Sequence, residues 1–164
     1  MMMMTAALRD LATTWGSFYS NHAAMRTTIA FAHVGGLVAA GGASMMADRE
    51  ILSTYKSREQ SGSGMLRTVR KTHGVVLAGL AIVIASGVLL FAADLDAYLV
   101  SRLFWIKMAL VVALMINGAV LTRAERRASS NLDYSWETLK WTATASLALW
   151  SLTTFIGTAL PNIG

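Results

Sequence analysis

Four long apolar runs, each bounded by polar or charged residues, dominate the hydrophobic pattern of this chain. A helix rising about 1.5 Å per residue needs about 20 apolar residues to cross a hydrocarbon core ~30 Å thick. The runs reach that length and predict membrane spans over residues 27–47, 73–93, 103–122 and 141–160. The pattern therefore predicts an all-α integral membrane protein, a four-helix bundle in a single domain over residues 1–164.

The segment before the first span has a different pattern. Apolar and aromatic side chains recur there at spacings of three and four residues: Leu8, Leu11, Trp15, Phe18 and His22. This spacing predicts an amphipathic helix over residues 5–22. The segment is too polar to span, so we expect it to lie at the outer membrane interface, with Trp15 and Tyr19 as aromatic anchors. The alternative is a plain N-terminal extension of the first span.

Loop charge predicts the orientation. The first loop carries Arg49, Lys56, Arg58, Arg67, Arg70 and Lys71, and the third carries Arg123, Arg126, Arg127 and Lys140. Lysine and arginine accumulate on the cytoplasmic side, so both loops are expected there. Both termini and the short acidic turn at Asp94 and Asp96 then face outward, in a multi-pass protein of the bacterial inner (cytoplasmic) membrane. Gly62 and Gly64 predict a flexible first loop.

The amino-acid composition excludes several kinds of site and partner. The chain is 55% hydrophobic and contains no cysteine, which excludes disulfides, thiolate metal sites, covalently attached haem and a cysteine nucleophile. Its formal charge of +5 is explained by cytoplasmic loops rather than by nucleic-acid binding. The expected partners are the lipid bilayer and a larger membrane protein complex. No catalytic signature names a reaction, and whether the protein is an enzyme stays open.

Two ionisable residues lie inside predicted spans. His33 in the first span and Lys107 in the third come out at similar depth, because these two spans run in the same direction. Ionisable groups inside a membrane are functional candidates. On that interpretation His33 is an axial ligand of haem b or a porphyrin contact. The alternatives are a cross-helix hydrogen bond for His33 and a Lys107 side chain that reaches the outer headgroups. His73, at the opposite membrane face, is too distant to share an iron with His33.

Other residues of the spans predict packing. Small residues at four-residue spacing form two rows that favour close helix contact: Gly36, Ala40 and Ser44, and Gly35, Ala39, Ala43 and Ala47. Asn117 is expected to form a cross-helix hydrogen bond. A copper site at His22, Met25 and His33 is a lesser alternative to haem, since thioether sulfur suits Cu(I).

Four short segments of the first three spans carry a family resemblance through their common order and spacing. They are Phe-Ala-His-Val-Gly-Gly at residues 31–36, Ala47-Asp48-Arg49-Glu50, Ser-Gly-Val-Leu-Leu-Phe at residues 86–91, and Phe104-Trp105-Ile106-Lys107. They resemble an uncharacterised bacterial family of four-helix membrane proteins. They are more distantly similar to the copper-resistance D family and to the membrane-bound, haem-containing protoporphyrinogen oxidase family. The resemblance implies functional roles for His33, Arg49 and Lys107. His73-Gly74 stands where the oxidase family has further polar and proline features.

Three functions follow as hypotheses. The first is a haem- or porphyrin-associated membrane protein in which His33 contacts the cofactor, while Lys107 and Arg49 engage its propionates or a redox partner. The second is a non-catalytic accessory or scaffold subunit of a respiratory or photosynthetic membrane complex. The third is a copper-handling membrane protein. Each predicts a different purified sample: coloured, colourless with large partners, or copper-loaded.

Overall fold

A computed structural model describes residues 2–57, 62–128 and 132–163. These residues form six helices and no strand: α1 (Met2–Asn21), α2 (Ala23–Ser57), α3 (Gly62–Ala93), α4 (Leu95–Val100), α5 (Arg102–Ala128) and α6 (Leu132–Ile163). Four helices contain stretches long and apolar enough to cross a membrane, at Ala23–Thr54, Thr72–Ala93, Arg102–Arg127 and Glu137–Leu160. The predicted all-α class and its four membrane-spanning segments are confirmed.

Most of the basic residues assigned to loops lie on helices instead. Arg49 and Lys56 belong to α2, and the predicted flexible segment at Gly62 and Gly64 opens α3. The remaining residues of this kind are Arg67, Arg70 and Lys71 on α3, Arg123, Arg126 and Arg127 on α5, and Lys140 on α6. Arg58 lies outside the described residues. The helices thus continue into the segments between the predicted spans, because a helix makes its hydrogen bonds locally and lysine, arginine and alanine are strong helix formers.

The membrane-spanning helices pack side by side in the order α3, α2, α6, α5. At the contact between α2 and α3, a Cβ atom placed on Gly36 would lie 2.9 Å from the carbonyl oxygen of Gly79. A Cβ atom on Gly79 would lie 2.9 Å from Cβ of Ala40. The close approach predicted for Gly36 and Ala40 is therefore confirmed. Gly35, in the second predicted row, faces open space.

Helices α2, α5 and α6 share an apolar core at the end of the molecule opposite His33. Its buried members are Ala47 and Ile51 on α2, Ala124 on α5, and Leu139 and Ala143 on α6. A second cluster toward the middle of the spans joins Ala40, Leu114 and Trp150. Nδ2 of Asn117 donates a hydrogen bond to the carbonyl oxygen of Thr142 at 3.0 Å. This bond connects α5 to α6 and confirms the cross-helix role predicted for Asn117.

Helix α1 docks on the end of α3. The indole Nε1 of Trp15 donates to the carbonyl oxygen of Leu89 at 2.9 Å, and a Cβ atom on Gly16 would lie 2.7 Å from the carbonyl oxygen of Ala93. His33 on α2 lies beside Ser86, near the end of α3. If α2 continued straight toward the N-terminus, Trp15 would lie about 27 Å beyond His33 along the helix axis, which is past the end of α3. The chain therefore bends at His22, between the two helices, and α1 is not a straight extension of the first span.

Aromatic side chains close the same end of the molecule. The rings of Phe91 and Phe104 stack at 5.1 Å, and Tyr98 on α4 lies 5.5 Å from Phe104. The predicted acidic turn is a bend at Asp94 followed by the short helix α4. Burial raises the pKa of Tyr98 above its usual range, and the charges of Asp94 and Tyr19 add to the effect.

Candidate functional site

The His33 site lies where α2 and α3 pack together. Nδ1 of His33 is 3.0 Å from Oγ of Ser86, which is buried. The next residue is Gly87, and a Cβ atom there would lie only 3.2 Å from Cε1 of the imidazole. Glycine at this position thus makes room for the ring against the backbone of α3.

Hydrogen bonding fixes which imidazole nitrogen carries the proton. Oγ of Ser86 lies 2.6 Å from the carbonyl oxygen of Ile82. A carbonyl oxygen can only accept, so at this short distance the serine hydroxyl must donate its hydrogen to it. A serine hydroxyl has one hydrogen, so toward His33 its oxygen accepts. Nδ1 of His33 is therefore the donor. In the neutral imidazole this leaves Nε2 unprotonated, with a free lone pair.

Lys107 approaches this site from α5. Its Cε and Nζ atoms lie 3.6 Å from the position a Cβ atom would occupy on Gly157 of α6. The ammonium group is within electrostatic range of the imidazole of His33. The structure thus places Lys107 against α6 and within electrostatic range of His33 on α2.

The other predicted site residues lie elsewhere. Arg49 is exposed on α2, sixteen residues from His33 and therefore about 24 Å away along the helix axis. His22 is exposed at the bend; its Nδ1 donates to the carbonyl oxygen of Phe18 at 2.7 Å. His73 is about 20 Å along α3 from Ser86. In the described part of the chain, no group of three or more histidine or acidic side chains is placed to hold a metal ion.

A second candidate site, a cleft of about 460 Å³, lies at the opposite end of the molecule. Helices α3 and α5 line its sides, and α2 and α6 lie between them. Apolar side chains line the part toward the middle of the spans: Val76, Leu77, Leu80, Leu114, Met115 and Trp150. Polar side chains line the other part: Ser44, Asp48, His73, Arg123, Glu125, Arg126 and Ser146. We call this the inner cleft.

Asp48 is the most unusual residue of the inner cleft. Its side chain is fully buried, at 0% exposure. Oγ of Ser44 is 3.5 Å from Oδ2, whereas Oδ1 has no hydrogen-bond partner in the described part of the chain. Glu125 on α5 is close enough to interact electrostatically with the same carboxyl group. A buried acceptor without a donor is unfavourable, because it has lost its hydrogen bonds to water.

Sequence reasoning missed the inner cleft, although one signal pointed to it. Asp48 follows Ser44 by four residues and so continues the row that begins at Gly36 and Ala40. A residue in that row lies on the packed face of α2 rather than at a solvated helix end. Nothing comparable in the sequence places Glu125 beside Asp48, since their contact depends on how α5 packs.

Comparisons with protein families, with curated proteins and with solved structures found no match.

Proposed function

We propose that this multi-pass membrane protein binds haem b or a related porphyrin through His33. The observation that supports the proposal is the hydrogen bond from Nδ1 of His33 to Oγ of Ser86. Histidines that bind metals commonly donate their other ring N–H in this way, which fixes the ring and leaves the second nitrogen to bind. The donor chemistry of His33 therefore fits an axial ligand.

The surroundings of His33 suit the same ligand. The ammonium of Lys107 supplies positive charge within electrostatic range of the imidazole, which suits a carboxylate such as a porphyrin propionate. Arg49 is too far along α2 to contribute, so we assign it to the opposite membrane surface or to a partner protein. A bound haem would supply one-electron redox chemistry, while the protein would set its ligation, its local charge and its access to water.

We further propose the orientation that loop charge predicts. His33 then lies in the outer half of a bacterial inner membrane, and both termini face outward. Helix α1 lies at the outer interface, with Trp15 docked on α3 while Leu8 and Leu11 are exposed and available to lipid. The family resemblance carried by His33 and Lys107 agrees with this arrangement.

Optical spectra with metal analysis on the same sample test the proposal. Protein expressed with added haem and purified in mild detergent is expected to show a Soret band that shifts on reduction with dithionite, with about one iron per chain. His33→Ala should abolish the band, whereas His22→Ala and His73→Ala serve as matched histidine controls that keep it. Ser86→Ala should weaken haem binding about 10- to 100-fold.

The remaining outcomes favour the other functions. A colourless sample with neither iron nor copper would overturn the haem proposal and favour an accessory subunit, which predicts co-purification with a larger complex. Stoichiometric copper that His22→Ala removes would instead favour a copper site formed with Met25 and His33.

A further inference from the structure

We infer that the inner cleft binds one aminophospholipid, with its ammonium group held by Asp48 and Glu125 and an acyl chain against the apolar wall. This inference is independent of the porphyrin proposal, because it concerns the opposite end of the molecule. It rests on three observations: an unpartnered buried carboxyl oxygen, the charge pattern of the cleft and the orientation of its apolar part.

The carboxyl group of Asp48 indicates a ligand that donates hydrogen bonds. Among the described residues, Oδ1 is buried without a hydrogen-bond partner. Glu125 adds a second carboxyl group to the same cleft. Two carboxyl groups in an environment of low dielectric constant favour a cationic donor over a neutral one. A primary ammonium, with three N–H donors, can bind both.

The cleft also contains positive charge. Arg123 and Arg126 line the same polar end as the two carboxyl groups. Guanidinium groups match phosphate oxygens well. A headgroup with both an ammonium and a phosphate therefore complements the cleft better than a simple amine or a simple phosphate does.

The apolar part of the cleft has the orientation that a membrane lipid requires. The polar end lies at Asp48 and His73, close to where the spans of α2 and α3 end and begin. From there the lining continues to Leu80, Leu114 and Trp150, toward the middle of the spans. A headgroup at the polar end thus places its acyl chain along the hydrocarbon core. The volume of about 460 Å³ lies in the range of roughly 300–1,000 Å³ typical of ligand sites.

The test is lipid binding to the delipidated full-length protein in detergent, followed by native mass spectrometry and thermal unfolding. The three lipids have identical acyl chains: phosphatidylethanolamine, phosphatidylcholine, whose ammonium has no N–H, and phosphatidylglycerol, which has no amine. We expect phosphatidylethanolamine to bind about tenfold more tightly than the other two, the difference expected for a charge-assisted hydrogen bond.

Substitutions assign the preference to the cleft. Asp48→Asn and Glu125→Gln should each remove the preference for phosphatidylethanolamine, and the second variant keeps the test valid if the first does not fold. Asp96→Asn, an exposed acid on α4, is the matched control and should retain it. Leu80→Trp should weaken binding of all three lipids by filling the apolar part. Equal binding of the three lipids, tighter binding of phosphatidylglycerol, or a preference that survives both cleft variants would overturn the inference.

Discussion

The His33 site and the inner cleft lie toward opposite ends of α2, and they differ in whether a polar side chain has its hydrogen-bond partner. At His33, the imidazole N–H has an acceptor in Ser86, and Ser86 in turn donates to the backbone of its own helix. At Asp48, a fully buried carboxyl oxygen has no donor in the described part of the chain. The chain thus supplies an acceptor for the imidazole N–H at the first site, whereas no described residue supplies a donor to Oδ1 of Asp48 at the second.

Helix packing explains the difference. Near His33, α3 packs closely on α2, because Gly87 leaves room for the imidazole and Gly36 contacts Gly79. A polar group there meets another helix within hydrogen-bonding distance. Near Asp48, α3 and α5 line a cleft instead of filling it, and no described residue of either helix brings a hydrogen-bond donor to Oδ1. Close packing thus satisfies one polar group and a gap in packing leaves the other without a partner.

Of the substitutions considered, Gly36→Val should lower the unfolding free energy most, because it disrupts the packing of α2, the helix that carries both His33 and Asp48. Its Cβ atom would lie 2.9 Å from the carbonyl oxygen of Gly79, a backbone atom that cannot rotate away, so α2 and α3 must separate. We expect a loss of about 3 kcal/mol in unfolding free energy, at the upper end of the range for overpacking. Gly35→Val is the matched control, because nothing lies near that position. Denaturant unfolding in detergent measures both, and equal stability of the two variants would contradict the packing described for α2 and α3.

A pair of substitutions sharpens the comparison, because its members should change stability in opposite directions. Ser86→Ala leaves the N–H of His33 without its acceptor and should cost about 1 kcal/mol. Asp48→Leu removes a buried carboxyl group whose Oδ1 has no partner among the described residues, and it should stabilise the lipid-free protein by about 1 kcal/mol. Both are measured by unfolding after delipidation. Destabilisation by Asp48→Leu would contradict the expectation that burial of this carboxyl group is unfavourable.

The sequence predicts the features that depend on local pattern. Four apolar runs identify the membrane-spanning helices, and small residues at four-residue spacing identify the packed face at Gly36 and Ala40. The continuation of α2 to Ser57 and of α5 to Ala128 was missed, because a change from apolar to charged residues ends a hydrophobic run without ending a helix. Helical hydrogen bonds do not require an apolar sequence.

The sites were harder to predict, because they depend on how the helices are rotated against one another. Sequence position placed His33 and Lys107 at one depth, and in the structure the two groups are within electrostatic range of each other. The pairing of His33 with Ser86 requires the rotation of α3 about its axis, which apolar periodicity does not fix. The same holds for Asp48 on α2 and Glu125 on α5, whose helices are separated in the chain by one membrane-spanning helix, α3, and the short helix α4. The bend at His22 also depends on a tertiary contact, the docking of Trp15 on α3.

Alkaline titration of Tyr98 offers the smallest and most local test, at the end that α1 covers. Burial raises its pKa, and Asp94 and Tyr19 add to the effect, so the folded protein keeps a proton that the unfolded chain loses near pH 10. The folded state then binds more protons than the unfolded state above that pH. Stability from this group is therefore full below about pH 10 and falls as the pH rises through the folded pKa.

Comparison of wild type with Tyr98→Phe isolates this contribution from other groups that titrate at high pH. The unfolding free energy, measured from neutral to alkaline pH, should fall more steeply in wild type than in the variant. In the absorbance titration of the tyrosines, the component with the highest pKa should be missing in Tyr98→Phe. Trp15→Ala, which removes the hydrogen bond from α1 to Leu89, should move the titration of Tyr98 toward the ordinary range, because a loosened α1 exposes the phenol. An unchanged titration in Trp15→Ala would mean that α3, α4 and α5 bury Tyr98 without help from α1, and that this end of the molecule, like the His33 site, is held by the packing of the main helices.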